Sequence, residues 1–355
     1  MIKILHSADW HLDSPLLFRN PEQTRYLRQA LCAIPRQIVA LCKEENCDLM
    51  LLAGDLFDGA YQAGTLQELK AALEEVRVPV FIIPGNHDFV STASPWTREL
   101  WPDNMHIVSR PMMESVVLED LDLRVYGAGF VSMDCGALLA DFIADDPQTH
   151  KIAIVHGDPT QANSPYCPIT KQQVLASNLD YLALGHIHKG GSFQAGKTLC
   201  AWPGSPMGRG YDEEGEKGVL IVTLGQETHA KFVPLDTPRF YDLEVAVDAD
   251  PEKALDAVLP AVGNHDFYRI TFTGACEPFQ TETLLRPEFP NLLLRDRTVP
   301  PVDVWGSAGQ DTFEGRYFKL LQDQLAEAEE DETRRIYLAA EISRKILDGQ
   351  EVVLP

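Results

Sequence analysis

The segment VFIIPGNHDFV (Val80–Val90) runs from an unbroken apolar stretch straight into Gly-Asn-His-Asp. A short apolar run of this kind reads as a strand buried on both faces, as in parallel sheets covered by helices. A polar cluster at the carboxyl end of such a strand stands where α/β sheets bind their ligands. Working outward, IKILHSAD (Ile2–Asp9) and CDLMLLAGD (Cys47–Asp55) repeat the arrangement, each an apolar run ending in an acid. Helical spacing fills the intervals: Pro21–Asn46, with a kink or break expected at Pro35, and Thr65–Val76, where Thr65 and Glu68 have capping-box spacing. Strand alternating with helix gives an α/β class with parallel strands in the first part. Further strands are expected at Leu123–Phe130, Lys151–Gly157, Leu179–His186 and Gly218–Leu224.

From about Asp236 the texture changes. FYDLEVAV (Phe240–Val247), PEKALDAVLPAV (Pro251–Val262), DFYRITFTG (Asp266–Gly274) and NLLLRD (Asn291–Asp296) read as strand, helix, strand, strand. The expected division is a main domain over 1–235, a small α+β cap over 236–310 and helices over 311–355. In the last helix Leu338, Ile342 and Ile346 form an i, i+4 stripe that is expected to pack on the protein itself.

Composition narrows the function classes. The chain has 355 residues, a formal net charge of −23 and 45% hydrophobic residues, which suits a globular protein and argues against gripping nucleic acid by bulk electrostatics. Any phosphate-bearing substrate must be met by something locally positive. Seven Cys with no CxxC pair fit neither a disulfide framework nor a zinc ribbon, so reduced, mostly buried thiols such as Cys32 and Cys200 are expected. No apolar run approaches membrane-spanning length and the amino terminus meets Asp and His early, so no membrane partner and a cytoplasmic location are expected.

The chemistry gathers in clusters that follow strands: SADWH, AGDLFD, PGNHD, VHGD and GHIH. Together they offer Asp9, His11, Asp55, Asn86, His156, His186 and His188 as oxygen and nitrogen donors without a thiolate. That set suits manganese, iron or zinc in a reactive site better than a structural zinc, which recruits Cys. Seven donors exceed the needs of one tetrahedral ion and fit two ions sharing Asp55. The i, i+2 spacing of Asp9 with His11, and of His186 with His188, would aim each pair to one side of an extended backbone. GNHDF occurs again at Gly263–Phe267, where it precedes a strand instead of ending one and has no companion cluster, so it reads as a turn.

In order, Asp9-Trp10-His11, Gly54-Asp55, Gly85-Asn86-His87-Asp88, His156 and Gly185-His186-Ile187-His188 resemble the motif series of the calcineurin-like metallophosphoesterases. More narrowly, ILHSADWHLDSPL, LLAGDLFD, LALGHIHKG and PGSPMGRGYDE are similar to the SbcD and YhaO-type DNA repair exonuclease subunits. The resemblance implies a four-layer αββα sandwich of two mixed sheets flanked by helices, with a small cap domain and carboxy-terminal helices. It implies two divalent metals, usually Mn(II), with Fe, Zn or Mg as alternatives: Asp9, His11, Asp55 and His188 around one, Asp55, Asn86, His156 and His186 around the other. His87, not a ligand in that family, becomes the expected catalytic proton donor, with Asp88 or Asp58 orienting its ring. Lys189, Arg209 and Tyr211, close after the His pair, are candidate substrate contacts; Trp10 either stacks on a base or walls the pocket.

The function implied is a hydrolase, a metal-dependent nuclease subunit acting on DNA, partnered by an SbcC-like coiled-coil ATPase through the last helices, with a homodimer also admitted. The alternative keeps the same metals for a small-molecule or phosphoprotein ester. A non-catalytic scaffold is disfavoured because every ligand position is filled.

Overall fold

A computed structural model of the chain describes residues 1–18, 20–301 and 303–349. The first strands are β1 (Ile2–Ser7), β2 (Leu49–Ala53), β3 (Val80–Ile83) and β4 (Met105–Ile107), followed by β5 (Glu114–Leu118), β6 (Leu123–Ala128), β7 (His150–His156) and β8 (Tyr181–Gly185). Two hairpins close this part: β9 (Lys189–Ala195) with β10 (Thr198–Gly204), and β11 (Gly218–Leu224) with β12 (His229–Pro234). One sheet has the order β12-β11-β1-β2-β3-β4 and the other β5-β6-β7-β8-β10-β9. Both are mixed. Parallel pairing holds from β1 through β4 and from β6 through β8 to β10, with antiparallel strands at the edges.

Alternation along the strands builds the layers. Ile4, Leu49, Leu51 and Phe81 from the first sheet meet Ile152, Ile154, Tyr181 and Ala201 from the second in one buried core. The opposite faces of the same strands, Leu5, Met50, Leu52 and Ile82, pack under α1 (Pro21–Glu44) and α2 (Ala63–Glu74). On the far side, Ala153, Val155 and Leu182 pack with Val174 of the short helix Lys171–Ala176. The result is a four-layer αββα sandwich, the fold class expected from the motifs. Each fully buried Leu, Ile or Phe contributes about 1.5–3 kcal/mol of transfer free energy, so strands buried on both faces hold their tips firmly.

Three local expectations are corrected. Helix α1 continues through Pro35, which is itself buried with Leu31, Ile34 and Ile38. Burial of that face opposes a lost hydrogen bond and ring clash that cost about 3 kcal/mol. Thr65 and Glu68 form no capping box: α2 starts at Ala63 after Gln62, which has no side-chain cap. Instead the Asp13 carboxylate, from the loop after β1, accepts from the Gln62 N–H and the Thr65 hydroxyl, both at 2.7 Å. Cys32 is exposed because it lies on the solvent side of α1, while Cys200 is buried; all seven thiols are free.

The chain divides into two compact units, one comprising Met1–Tyr241 with His265–Phe267 and the other Asp242–Asn264 with the residues from Tyr268 on. Strands β13 (Phe240–Ala246), β14 (Phe267–Thr273) and β15 (Leu292–Asp296) form a three-stranded sheet in that order, with the short helix Pro251–Asp256 between β13 and β14. Two further helices, Phe313–Glu327 and Glu330–Leu347, are held together by Phe318, Leu321, Ile336 and Ala340. The face expected to pack inward, Leu338 and Ile346, points out at 39% and 61% exposure, whereas Ile336 and Ala340 are at 8% and 0%. The residues that pack lie two positions before Leu338 and Ile342 of the expected stripe, Ile342 itself being half-buried, and Arg344, next in the Ile336–Ala340 series, lays its guanidinium over the Phe318 ring, so the partner helix and not the apolar period chooses the face. Ile336→Ala is expected to cost about 2 kcal/mol or more, and Ile346→Ala less than about 0.5 kcal/mol, in denaturant unfolding followed by circular dichroism.

Candidate metal centre

All seven sequence-predicted donors lie at or just beyond strand ends of the first unit. Asp9 and His11 follow β1, Asp55 follows β2, Asn86 follows β3, His156 ends β7, and His186 and His188 follow β8. The two sheets therefore bring their carboxyl ends to one place. Among the described residues, Asp9, His11 and His188 offer ligand atoms within 4.8 Å of one another, as do Asp9, Asp55 and His156, and His11, Asp58 and His87. The second GNHDF enters none of these groups; His265 instead lies 5.7 Å from the Tyr26 ring, centroid to centroid.

The backbone that achieves this is not extended. Asp9, His11, Asp55 and His186 have φ values of 56°, 47°, 52° and 98°. The i, i+2 pairs thus converge through left-handed turns and not through the alternation of an extended strand. Non-glycine residues in that region cost about 1–3 kcal/mol each and persist only where surrounding contacts over-determine them. Those contacts are present: the Asp9 N–H donates to Gly54 O at 3.0 Å, the His11 N–H to Asp55 O at 3.0 Å, and the His186 N–H to the Asp9 carboxylate at 2.9 Å. Gly54, at φ 90°, lets the imidazole of His156 lie against its Cα, where a Cβ would collide with the ring.

Hydrogen bonds set the tautomers. His156 donates from Nδ1 to the Ala53 carbonyl at 2.9 Å, so Nε2, 3.0 Å from Asn86 Oδ1 and 3.3 Å from Asp55 Oδ2, is the nitrogen turned toward the centre, where it carries a proton or would ligate an ion in its place. Likewise His188 Nδ1 lies 2.7 Å from Glu213 Oε1 and His11 Nδ1 lies 3.3 Å from Asp58 Oδ1. With those protons committed to carboxylates, the Nε2 atoms of His11 and His188 turn lone pairs toward each other at 3.0 Å. His186 Nδ1 adds a further donor 3.2 Å from Asn86 Oδ1. Lone pairs and buried carboxylates facing one another repel unless a cation lies between them. The residues therefore fit divalent ions, and their oxygen and nitrogen character matches a reactive centre.

The electrostatics tell the same story. Burial pushes the Asp9 carboxyl above its usual range. Burial opposes charge at Asp55 too, but His156 holds it below the usual carboxylate range. Burial also opposes the charged form of His156, yet Asp55 and Asp9 push its pKa up to about 9. The carboxylates thus demand positive charge, from a proton if nothing else supplies it. Burial and His156 lower His186 to about 4.

Around this core, His87 Nδ1 lies 2.8 Å from Asp58 Oδ1, with the His87 side chain 45% exposed. The hydrogen bond to Asp58 raises its pKa, with burial opposing. Asp58 is held ionised by His11 and then His87. Asp88 does something else: its carboxylate accepts from the amides of Leu56 at 2.9 Å, Phe57 at 3.2 Å and Gly85 at 2.7 Å. It braces two ligand loops against each other and is not shared with His87; burial and Asp55 raise its pKa to about 7. Trp10 is 1% exposed and donates to Ser7 Oγ at 2.8 Å, so it walls the core and cannot stack on a base. Lys189 is exposed, Tyr211 sits edge-on to Phe240, and Arg209 Nη2 pairs with Glu213 Oε1 at 2.8 Å.

Two contributors have no role legible in the sequence. Glu213 is 9% exposed and bonds His188, yet, although it ends the PGSPMGRGYDE segment, local spacing does not separate it from the neighbouring acids Asp212 and Glu214. Tyr166, whose ring lies 4.9 Å from that of His186, comes from a loop with no motif.

Residues 2–190 match the model of the calcineurin-like phosphoesterases, and the chain belongs to that family. It is 29% identical over 345 residues to the uncharacterized metallophosphoesterase YhaO of Bacillus subtilis (strain 168), covering 92% of this chain and 79% of that protein. The D component of the nuclease SbcCD from the same organism is 26% identical over 266 residues, covering 62% of this chain and 66% of its own length. Its namesake from Staphylococcus epidermidis is 23% identical over 381 residues, covering 94% and 98%. Family membership implies a hydrolase with two divalent ions. No helix among the described residues is long and apolar enough to cross a membrane.

The Gly54 geometry is open to a direct check. Gly54→Ala is expected to lose about 1 kcal/mol or more of stability through the positive φ and to displace the His156 ring. Thermal unfolding reads the first effect and the histidine NMR resonances of the chain read the second.

Proposed function

We propose that this chain hydrolyses phosphodiester bonds of DNA as the nuclease subunit of a repair complex, using two divalent ions. The observation that carries the hydrolytic part is the approach of His11 Nε2 and His188 Nε2 to 3.0 Å of each other beside two buried carboxylates. Support for DNA as substrate comes from likeness to the D components of two nucleases named SbcCD. Asp9, His11, Asp55 and His188 would hold one ion, and Asp55, Asn86, His156 and His186 the other, with manganese as the proposed metal. Ions bound there supply positive charge beside the phosphoryl oxygens and lower the pKa of water toward neutrality.

The protein's own groups complete the chemistry. His87 donates from Nδ1 to Asp58, whose hydrogen bond raises the His87 pKa and so favours the doubly protonated ring, and its Nε2–H would pass a proton to the departing sugar oxygen, leaving a neutral imidazole. That proton matters because an alkoxide leaves poorly. Lys189, exposed and adjacent to His188, is proposed to meet a flanking phosphate. Arg209 is committed to Glu213 and Tyr211 to Phe240, so neither is carried into the proposal as a direct contact.

A net charge of −23 leaves little bulk attraction for DNA. A partner is therefore proposed to supply much of the grip, an ATPase of the SbcC kind bound through the last two helices. The outward Leu338, Ile346 and Leu347, at 39%, 61% and 50% exposure, are the surface proposed for it.

His87→Asn is expected to lower turnover by about 10²–10⁴-fold while both ions remain, whereas His265→Ala stays near wild type. Metal analysis together with cleavage of labelled linear, nicked and hairpin DNA, with manganese, magnesium or chelator, reads both. Faster turnover of a nucleotide ester or phosphopeptide than of any DNA would replace the nuclease reading with that of a small-ester or phosphoprotein phosphatase. Removing the segment from Asp311 on is expected to abolish co-purification with the partner.

A further inference from the structure

We propose that Glu213, held by Arg209, is a positioning residue that decides which nitrogen of His188 is available to a metal ion. The inference rests on the two-ion reading above and adds a residue to it. His188 is the one proposed imidazole ligand whose Nδ1 is approached by groups of opposite character. Glu213 Oε1, an acceptor, lies 2.7 Å away, and Arg209 Nη2, which can only donate, lies 3.1 Å away. A nitrogen cannot satisfy both. With Glu213 in place its carboxylate takes the Nδ1 proton and also occupies Arg209, through Nη2 at 2.8 Å and the main-chain N–H at 3.0 Å. Nε2 is then left unprotonated, and it is the nitrogen that faces His11 Nε2 at 3.0 Å.

Without the carboxylate the preference inverts. Arg209 would remain as a donor beside Nδ1, which it stabilises in the unprotonated form. The ring proton would then sit on Nε2 and block the lone pair that ligation requires. The main chain of His188 is meanwhile held independently, its carbonyl accepting from the Ser205 N–H at 3.2 Å and from Lys217 Nζ at 3.3 Å. Losing Glu213 therefore changes what the ring offers more than where the residue stands. His156 contrasts with this, since a main-chain carbonyl with no cationic competitor sets its tautomer. The two ion positions thus differ in their dependence on a single side chain.

The test is calorimetric titration of the metal-free, full-length chain with manganese, beside thermal unfolding of each variant. Wild type is expected to take two equivalents. Glu213→Ala should weaken one of them by about 10–100-fold and leave the other unchanged. Glu213→Gln, whose amide oxygen still accepts from Nδ1, should keep most of the lost affinity. Adding Arg209→Ala to Glu213→Ala should recover part of it by removing the competing donor. Two equivalents of wild-type affinity in Glu213→Ala would overturn the assignment. So would a loss that Glu213→Gln shares in full, or one that the second substitution deepens, because either describes damage to the fold. Wild type taking up no manganese would overturn the two-ion reading, and this inference with it.

Discussion

Everything in the first unit serves one awkward arrangement: acceptor atoms aimed at each other in a place shielded from water. The Nε2 atoms of His11 and His188, the Asp9 and Asp55 carboxylates and the Asn86 carbonyl gather acceptor atoms around the His156 ring, whose raised pKa shows the demand for positive charge there. Left to itself such a cluster would spread apart or take up protons. It stays together because each side chain is tethered from behind, His156 by Ala53, His188 by Glu213, His11 by Asp58, and Asp9 by the His186 amide. The strands behind those tethers are buried on both faces, so relaxation at the tips would have to disturb two cores.

The cost of that organisation is visible in the backbone. Four of the seven donors adopt left-handed φ values, a conformation that L-residues avoid unless something compels them. Cross-loop hydrogen bonds do the compelling, and Asp88, whose place beside His87 suggests a part in catalysis, is among them as the brace joining the loops after β2 and β3. A buried carboxylate serving three amides is a structural device even though it stands next to the proposed proton donor.

Charge divides the labour. With 53 acidic residues against 30 basic ones, the chain does not attract a polyanion as a whole. Attraction for a phosphate ester is therefore local, from ions held in the centre.

Much of this was legible in the residue order. Apolar runs of strand length ending in Asp, Asn or His announce buried strands and the location of the chemistry, since few other folds place donors after successive strands. The α/β class and the gathering of the seven candidate donors at strand ends follow from such local patterns, as does the place of the second GNHDF before a strand and not after one. What could not be read locally concerns relations between distant segments. Glu213 is one acid among several until the fold brings it to His188, 25 positions earlier. Thr65 looks like a cap until Asp13 takes its hydroxyl, and Leu338 looks inward until the neighbouring helix selects Ile336 instead. Periodicity and propensity act within a few residues of chain, so sequence alone determined which elements form and which donors they carry. Hydrogen bonds and packing choose partners by proximity in space, so only the tertiary structure decided which nitrogen faces the centre, which acid holds it there and which helix face remains open.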